Sequence, residues 1–130
     1  MATNPNFISN AQLTGVSLSS ANTAIDGTGT ITTLVSGVAA GTRVLEIATQ
    51  CSATSAAALV NIFYSSDGGI TWRLFDQITI SAATVSNTVK GNRNFTTYLN
   101  LVLPNANARL GVTTTIAQAT QVFALCGDLT

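Results

Sequence analysis

The chain has 130 residues, of which five are Lys or Arg, five are Asp or Glu and none is His, giving a formal net charge of zero and a mean hydropathy of +0.40. Soluble domains normally carry charge on about a quarter of their residues. At 8% charged, this chain lacks the mixed-charge exterior that keeps a free monomer dispersed, so much of its outside is expected to lie against other protein.

The polarity that remains is neutral, chiefly 21 Thr, 11 Ser and 11 Asn interleaved with 18 Ala and with Val, Ile and Leu. Branched Thr, Val and Ile enter a pleated sheet at little conformational cost, and Asn, Gly and Ser supply turns. The length suits one domain with a core of its own. No apolar run reaches the length of a membrane-spanning helix, and Met1–Asn10 has neither the basic residues nor the apolar stretch of a secretory signal, so synthesis in a cytoplasm is expected.

Residues 1–26 are mostly Asn, Ser, Thr and Ala with scattered apolar positions, and read as an extended arm. Ile8, Leu13, Val16 and Leu18 are its candidate anchors on a neighbouring subunit. Asp26-Gly27-Thr28-Gly29 forms a turn, followed by a strand over Thr30–Gly37, a connection over Val38–Gly41, and a strand over Arg43–Cys51 with Leu45, Ile47 and Thr49 on one face. Ala57–Tyr64 and Thr71–Ile80 make a hairpin through Ser65–Ile70. Further strands are expected at Ser86–Lys90, Thr96–Leu103, Ala108–Thr115 and Thr120–Cys126, separated in part by Gly91–Asn94 and by Pro104-Asn105. About eight short strands at this spacing predict an all-β chain: an antiparallel β-sandwich over 27–130, jelly-roll-like rather than immunoglobulin-like, behind the 1–26 arm. Cys51 and Cys126 lie within strands, where a thiol serves as a small buried apolar group, although an oxidising compartment leaves a disulfide open.

One motif stands out. Ser65-Ser66-Asp67-Gly68-Gly69-Ile70-Thr71-Trp72 fits S-x-D-x-G-x-T-W, with Ser65, Asp67, Gly69, Thr71 and Trp72 at the fixed places, and resembles the Asp box of sialidases and other β proteins. A short carboxylate at Asp67 can accept backbone N–H groups across the turn, Gly68 and Gly69 permit positive φ, and Trp72 can pin the hairpin to its sheet. The resemblance implies a structural role. A single box builds no propeller, and four dispersed Arg supply no guanidinium cluster for a carboxylate ligand.

Other chemistry is poorly provided for. The carboxylates are Asp26, Glu46, Asp67, Asp76 and Asp128, with Asp67 engaged by its turn and Asp76 read as an exposed strand residue. They form no evident acid–base pair, and without His there is neither a His-containing triad nor a zinc set. No catalytic residue, metal ligand or cofactor site is expected. Gly27-Thr28-Gly29 precedes no helix that could cradle a phosphate. Lys90 and Arg93 form the only basic cluster, too small to neutralise many phosphates, so no nucleic-acid partner is expected. Phe63, Tyr64, Trp72, Phe75, Phe95, Tyr98 and Phe123 alternate along strands and are mostly assigned to the core, with Tyr64 or Tyr98 available to line a shallow sugar-stacking site.

A second resemblance runs over most of the chain. Ala21-Asn22-Thr23-Ala24-Ile25-Asp26-Gly27-Thr28-Gly29-Thr30-Ile31, the Ser66-Asp67-Gly68-Gly69 turn followed by Trp72-Arg73-Leu74-Phe75-Asp76, and Leu101-Val102-Leu103-Pro104 with Gly127-Asp128 resemble small proteins encoded among the structural genes of tailed bacteriophages. That resemblance implies a non-enzymatic virion component made in the host bacterial cytoplasm, such as a capsid decoration (cement) protein. Its partners would be copies of itself, a trimer being favoured, and a major capsid protein. The alternatives are a carbohydrate-binding module of a fibre or cell-surface protein and a component of the tail or head-to-tail connector.

Overall fold

A computed structural model describes residues 8–129, which form eight strands and no helix. In chain order these are β1 (Ile8–Leu18), β2 (Thr32–Ser36), β3 (Thr42–Cys51), β4 (Ala58–Ser65), β5 (Arg73–Ile80), β6 (Arg93–Leu103), β7 (Arg109–Thr114) and β8 (Thr120–Leu129). They build two four-stranded antiparallel sheets, β1-β8-β3-β6 and β2-β7-β4-β5, packed as the expected sandwich. Every connection except β4–β5 crosses from one sheet to the other. An immunoglobulin-like order sets β1 beside β2 in one sheet; here they lie in different sheets and β1 pairs with β8, the wrapped order of a jelly roll.

The core lies between the sheets. Val44, Ile47, Val122, Ala124 and Cys126 from one meet Leu34, Val60, Ile62, Ile80, Leu110 and Val112 from the other. Residues on the inward side of each strand alternate with outward ones, as the period-two geometry of a pleated strand requires.

Four expectations are revised. The segment assigned to a free arm contains β1, an edge strand paired with β8 from Ile8↔Leu129 to Leu18↔Thr120. Its inward positions include polar Gln12 and Thr14 beside Val16 and Leu18, which hid the alternation, and its partner lies more than a hundred residues away. Ser86–Lys90 is a turn: Ser86 and Val89 exchange backbone hydrogen bonds, and the Thr88 and Val89 amides donate to Ser86 Oγ. β6 begins at Arg93, three residues before its expected start. In β3 a bulge between Val44 and Glu46 shifts the register; Val44, Ile47 and Thr49 are buried and Leu45 only partly so.

On the outer side of β2-β7-β4-β5 the chain itself covers β7 and the adjoining part of β4, while the outward residues of β5 stay exposed. Ala21 bridges Thr114, and the Asn22 amide donates to the Thr114 carbonyl at 2.9 Å. Ile31 and Trp72 close over Gly111, where a Cβ would come within 2.5 Å of the Ile31 Cγ2 and 2.9 Å of the Trp72 ring. Beside Gly111, Phe63 is fully buried.

Both cysteines are buried and free. Cys126 pairs with Val44, seven positions along β3 from Cys51. At about 3.3 Å per strand residue they stand roughly 20 Å apart, far beyond the span of a disulfide.

Candidate interaction face

The Ser65–Trp72 turn joins β4 to β5 and is organised by two side chains. Ser65 Oγ donates to Asp67 Oδ1 at 2.7 Å and accepts from the Gly69 amide at 2.9 Å. Asp67 Oδ1 also accepts from the amides of Ile70 at 3.1 Å and Thr71 at 2.9 Å. These bonds, led by that from Thr71, lower the Asp67 pKa to about 2, because each stabilises the charged carboxylate. Gly68 and Gly69 take φ of 78° and 91°, the left-handed region that favours glycine. Thr71 and Trp72 lie in the turn, since β5 begins at Arg73. All five predicted hairpin residues thus come together, and their bonds hold a turn.

The preceding turn is built the same way. The Thr28 hydroxyl and amide donate to Asp26 Oδ1 at 2.6 and 3.1 Å, holding the Asp26 carboxyl below its usual range. A Cβ on Gly27, whose φ is 88°, would lie 2.2 Å from the Trp72 carbonyl oxygen, so the two turns are packed backbone to backbone.

Tyr64 and Tyr98 are half-buried and packed against the core. Tyr64 also lines a small depression of about 140 Å³ with Ser66, Asp67, Thr71 and Arg73. The Tyr98 hydroxyl donates to Asp76 Oδ2 at 2.8 Å, and its ring stands 5.8 Å from Phe75 at a tilt of 45°. Burial, and then the bond to Asp76, push the Tyr98 pKa upward. Asp76, read from sequence as exposed, is half-buried by this contact.

The four proposed arm anchors separate by side. Leu18 is buried in the core and Val16 packs against it. Ile8 lies against Gly127, where a Cβ would meet its Cγ2 at 2.2 Å. Leu13 points outward and is 69% exposed.

Leu13 belongs to an apolar outer face on β1-β8-β3-β6. The register sets Gly15, Phe123, Ala48 and Phe95 in one cross-strand row, and Leu13, Leu125, Glu46 and Thr97 in the next. Phe123 leans over Gly15, whose missing Cβ would meet the ring at 2.7 Å. With Phe95, Leu99, Val102, Phe123 and Leu125, Leu13 makes six large apolar side chains at least 38% exposed; Leu99, at 81%, stands out furthest. An open depression of about 380 Å³ is sunk into this face, lined by Leu13, Ala48, Phe123 and Leu125 with Glu46 and Arg93 at its polar side. Arg93 pairs with Glu46 at 3.1 Å and lies over the Phe95 ring at 5.2 Å, so the expected basic cluster has spent its arginine within the chain. Arg43 donates to the Leu99 carbonyl at 2.8 Å.

Most of these residues escaped the sequence reading because β8 is apolar on both sides. Val122, Ala124 and Cys126 face inward while Phe123 and Leu125 face outward, and alternation between two apolar sets does not say which is the core. Phe75, Phe95 and Phe123, assigned to the core with the other aromatics, are exposed. Among the described residues, no group of three or more acidic, Cys or His side chains is placed to hold a metal ion.

No family model matches the chain, and no curated protein matches it. Among solved structures it is similar to Eiger TNF from S. frugiperda, at 14% identity and a TM-score of 0.44 over 96% of this chain and 95% of that one. It is also similar to a chain of the infectious bursal disease virus Gt strain, at 12% identity and a TM-score of 0.31 over 96% of this chain and 35% of that one.

Proposed function

We propose that the chain is a non-enzymatic structural protein of a tailed-phage virion, of the capsid decoration (cement) kind, acting through protein contacts. The observation that carries this reading is the uncovered apolar face on β1-β8-β3-β6. Monomeric proteins rarely leave such a contiguous patch to water, and with 8% charged residues the rest of the surface offers little compensation. The sandwich gives a rigid platform, the Asp67 turn closes its one hairpin, and the resemblance to tailed-phage structural proteins supplies the setting.

Co-sedimentation tests the reading. Purified chain is mixed with isolated capsids that lack it, taken from the phage or prophage whose structural genes encode it. It is expected to pellet with capsids at a fixed, saturable ratio and to raise the temperature at which they rupture. Chain that stays in the supernatant at saturating capsid overturns the decoration role, and pelleting with isolated tails alone reassigns it to the tail or connector.

A further inference from the structure

We propose that the outer face of β1-β8-β3-β6 is closed in solution by the same face of a second copy of this chain. The inference takes from the structural-protein reading only the premise that the chain works in an assembly. Three features of the face select a copy of itself as the occupant.

The first is electrostatic. Glu46 and Arg93, the ionic groups beside the depression, neutralise each other at 3.1 Å. Arg43 keeps its charge while donating to the Leu99 carbonyl. A partner recognised by charge finds this one cation to hold, so the apolar side chains rather than ion pairs dominate the face.

The second is relief. Leu99 projects from the same face that contains the depression between Leu13, Phe123 and Leu125. A contact in which the same patch serves both partners needs projection and recess on one surface, so that residue i of one copy meets residue j of the other and the reverse.

The third is extent. Four strands about 4.8 Å apart and roughly 33 Å long offer about 600 Å² per copy, so two faces together bury about 1,200 Å², the lower bound for a stable specific interface. All four strands have the needed length, at 10 or 11 residues each.

Light scattering coupled to size-exclusion chromatography, run without any capsid, decides the matter. The wild-type chain is expected at twice its 13.3 kDa mass. Leu13→Asp and Leu99→Asp, both at exposed positions, are expected to weaken association at least tenfold while far-UV circular dichroism stays as in the wild type and each variant still melts in one cooperative transition. If Leu13→Asp disturbs folding, Leu99→Asp carries the test alone. A wild-type monomer at about 100 µM, a concentration at which any association of micromolar strength is saturated, overturns the proposal. So does an oligomer that folded face variants leave intact. A monomer that still decorates capsids defeats this inference alone, and an oligomer that binds no virion part defeats the virion reading alone.

Discussion

The Asp67 carboxylate gathers bonds from Ser65, Ile70 and Thr71, all within the seven residues 65–71, and its acidity follows from that concentration of donors. Its folded-state pKa of about 2 lies below the ordinary 3.8. The unfolded chain therefore takes up a proton first as pH falls, and the stability Asp67 contributes, complete above about pH 4, is lost between about 4 and 2. Asp26, shifted in the same direction by Thr28, adds to the same window, so the difference between wild type and Asp67→Asn isolates one carboxylate. We expect denaturant midpoints of the wild type to fall more steeply than those of Asp67→Asn between pH 4 and pH 2; parallel curves would remove Asp67 from the account. This turn was legible in the sequence because its interactions run over two to four positions and depend on side-chain type and glycine conformation. Tyr98 was not legible in the same way, since its partner Asp76 is 22 residues distant and belongs to the other sheet.

Among the elements, β1 is the one whose role changed most. Read along the chain it is a polar segment with occasional apolar residues; in the sandwich it completes one sheet and sends Leu18 into the core. Leu18→Ala is expected to cost about 2–4 kcal/mol, as for other buried leucines cut to alanine, whereas Leu13→Ala on the outward side is expected to change monomer stability by less than about 1 kcal/mol. Urea titration of the two variants measures both, and equal small effects would return residues 8–18 to the status of a detachable arm. Removing residues 1–20 should accordingly destabilise the sandwich, because it strips β8 of one of its two partner strands and takes Leu18 from the core. Strand existence was readable for seven of the eight elements, where turn residues bracket apolar runs. The spurious strand at Ser86–Lys90 shows the limit: Thr88 and Val89 are strand-forming residue types, but Ser86 Oγ captures the amides of both.

For the whole molecule, the two outer faces have opposite fates. The chain covers the β7 and β4 part of one with Ala21, Ile31 and Trp72, and leaves β1-β8-β3-β6 apolar and open. An interface built on the open face draws on hydrophobic burial rather than on exposed ion pairs, so raising salt from about 0.05 to about 0.5 M, which shortens the screening length several-fold, should leave self-association unchanged or stronger. Sedimentation equilibrium across that range measures it, and association that collapses with salt would place the contact at charged groups instead. The all-β class, the single sandwich, the two Asp turns and the scarcity of charge that points to assembly are legible along the chain, because composition and short-range bonding depend only on near neighbours. That β1 belongs to the sandwich, that Cys51 and Cys126 lie too far apart to join, and which of the two apolar sides of β8 meets the core emerge in the folded chain alone. Those outcomes depend on strand pairings between residues up to 121 positions apart, and a period-two pattern gives strands two faces without saying what either face will meet.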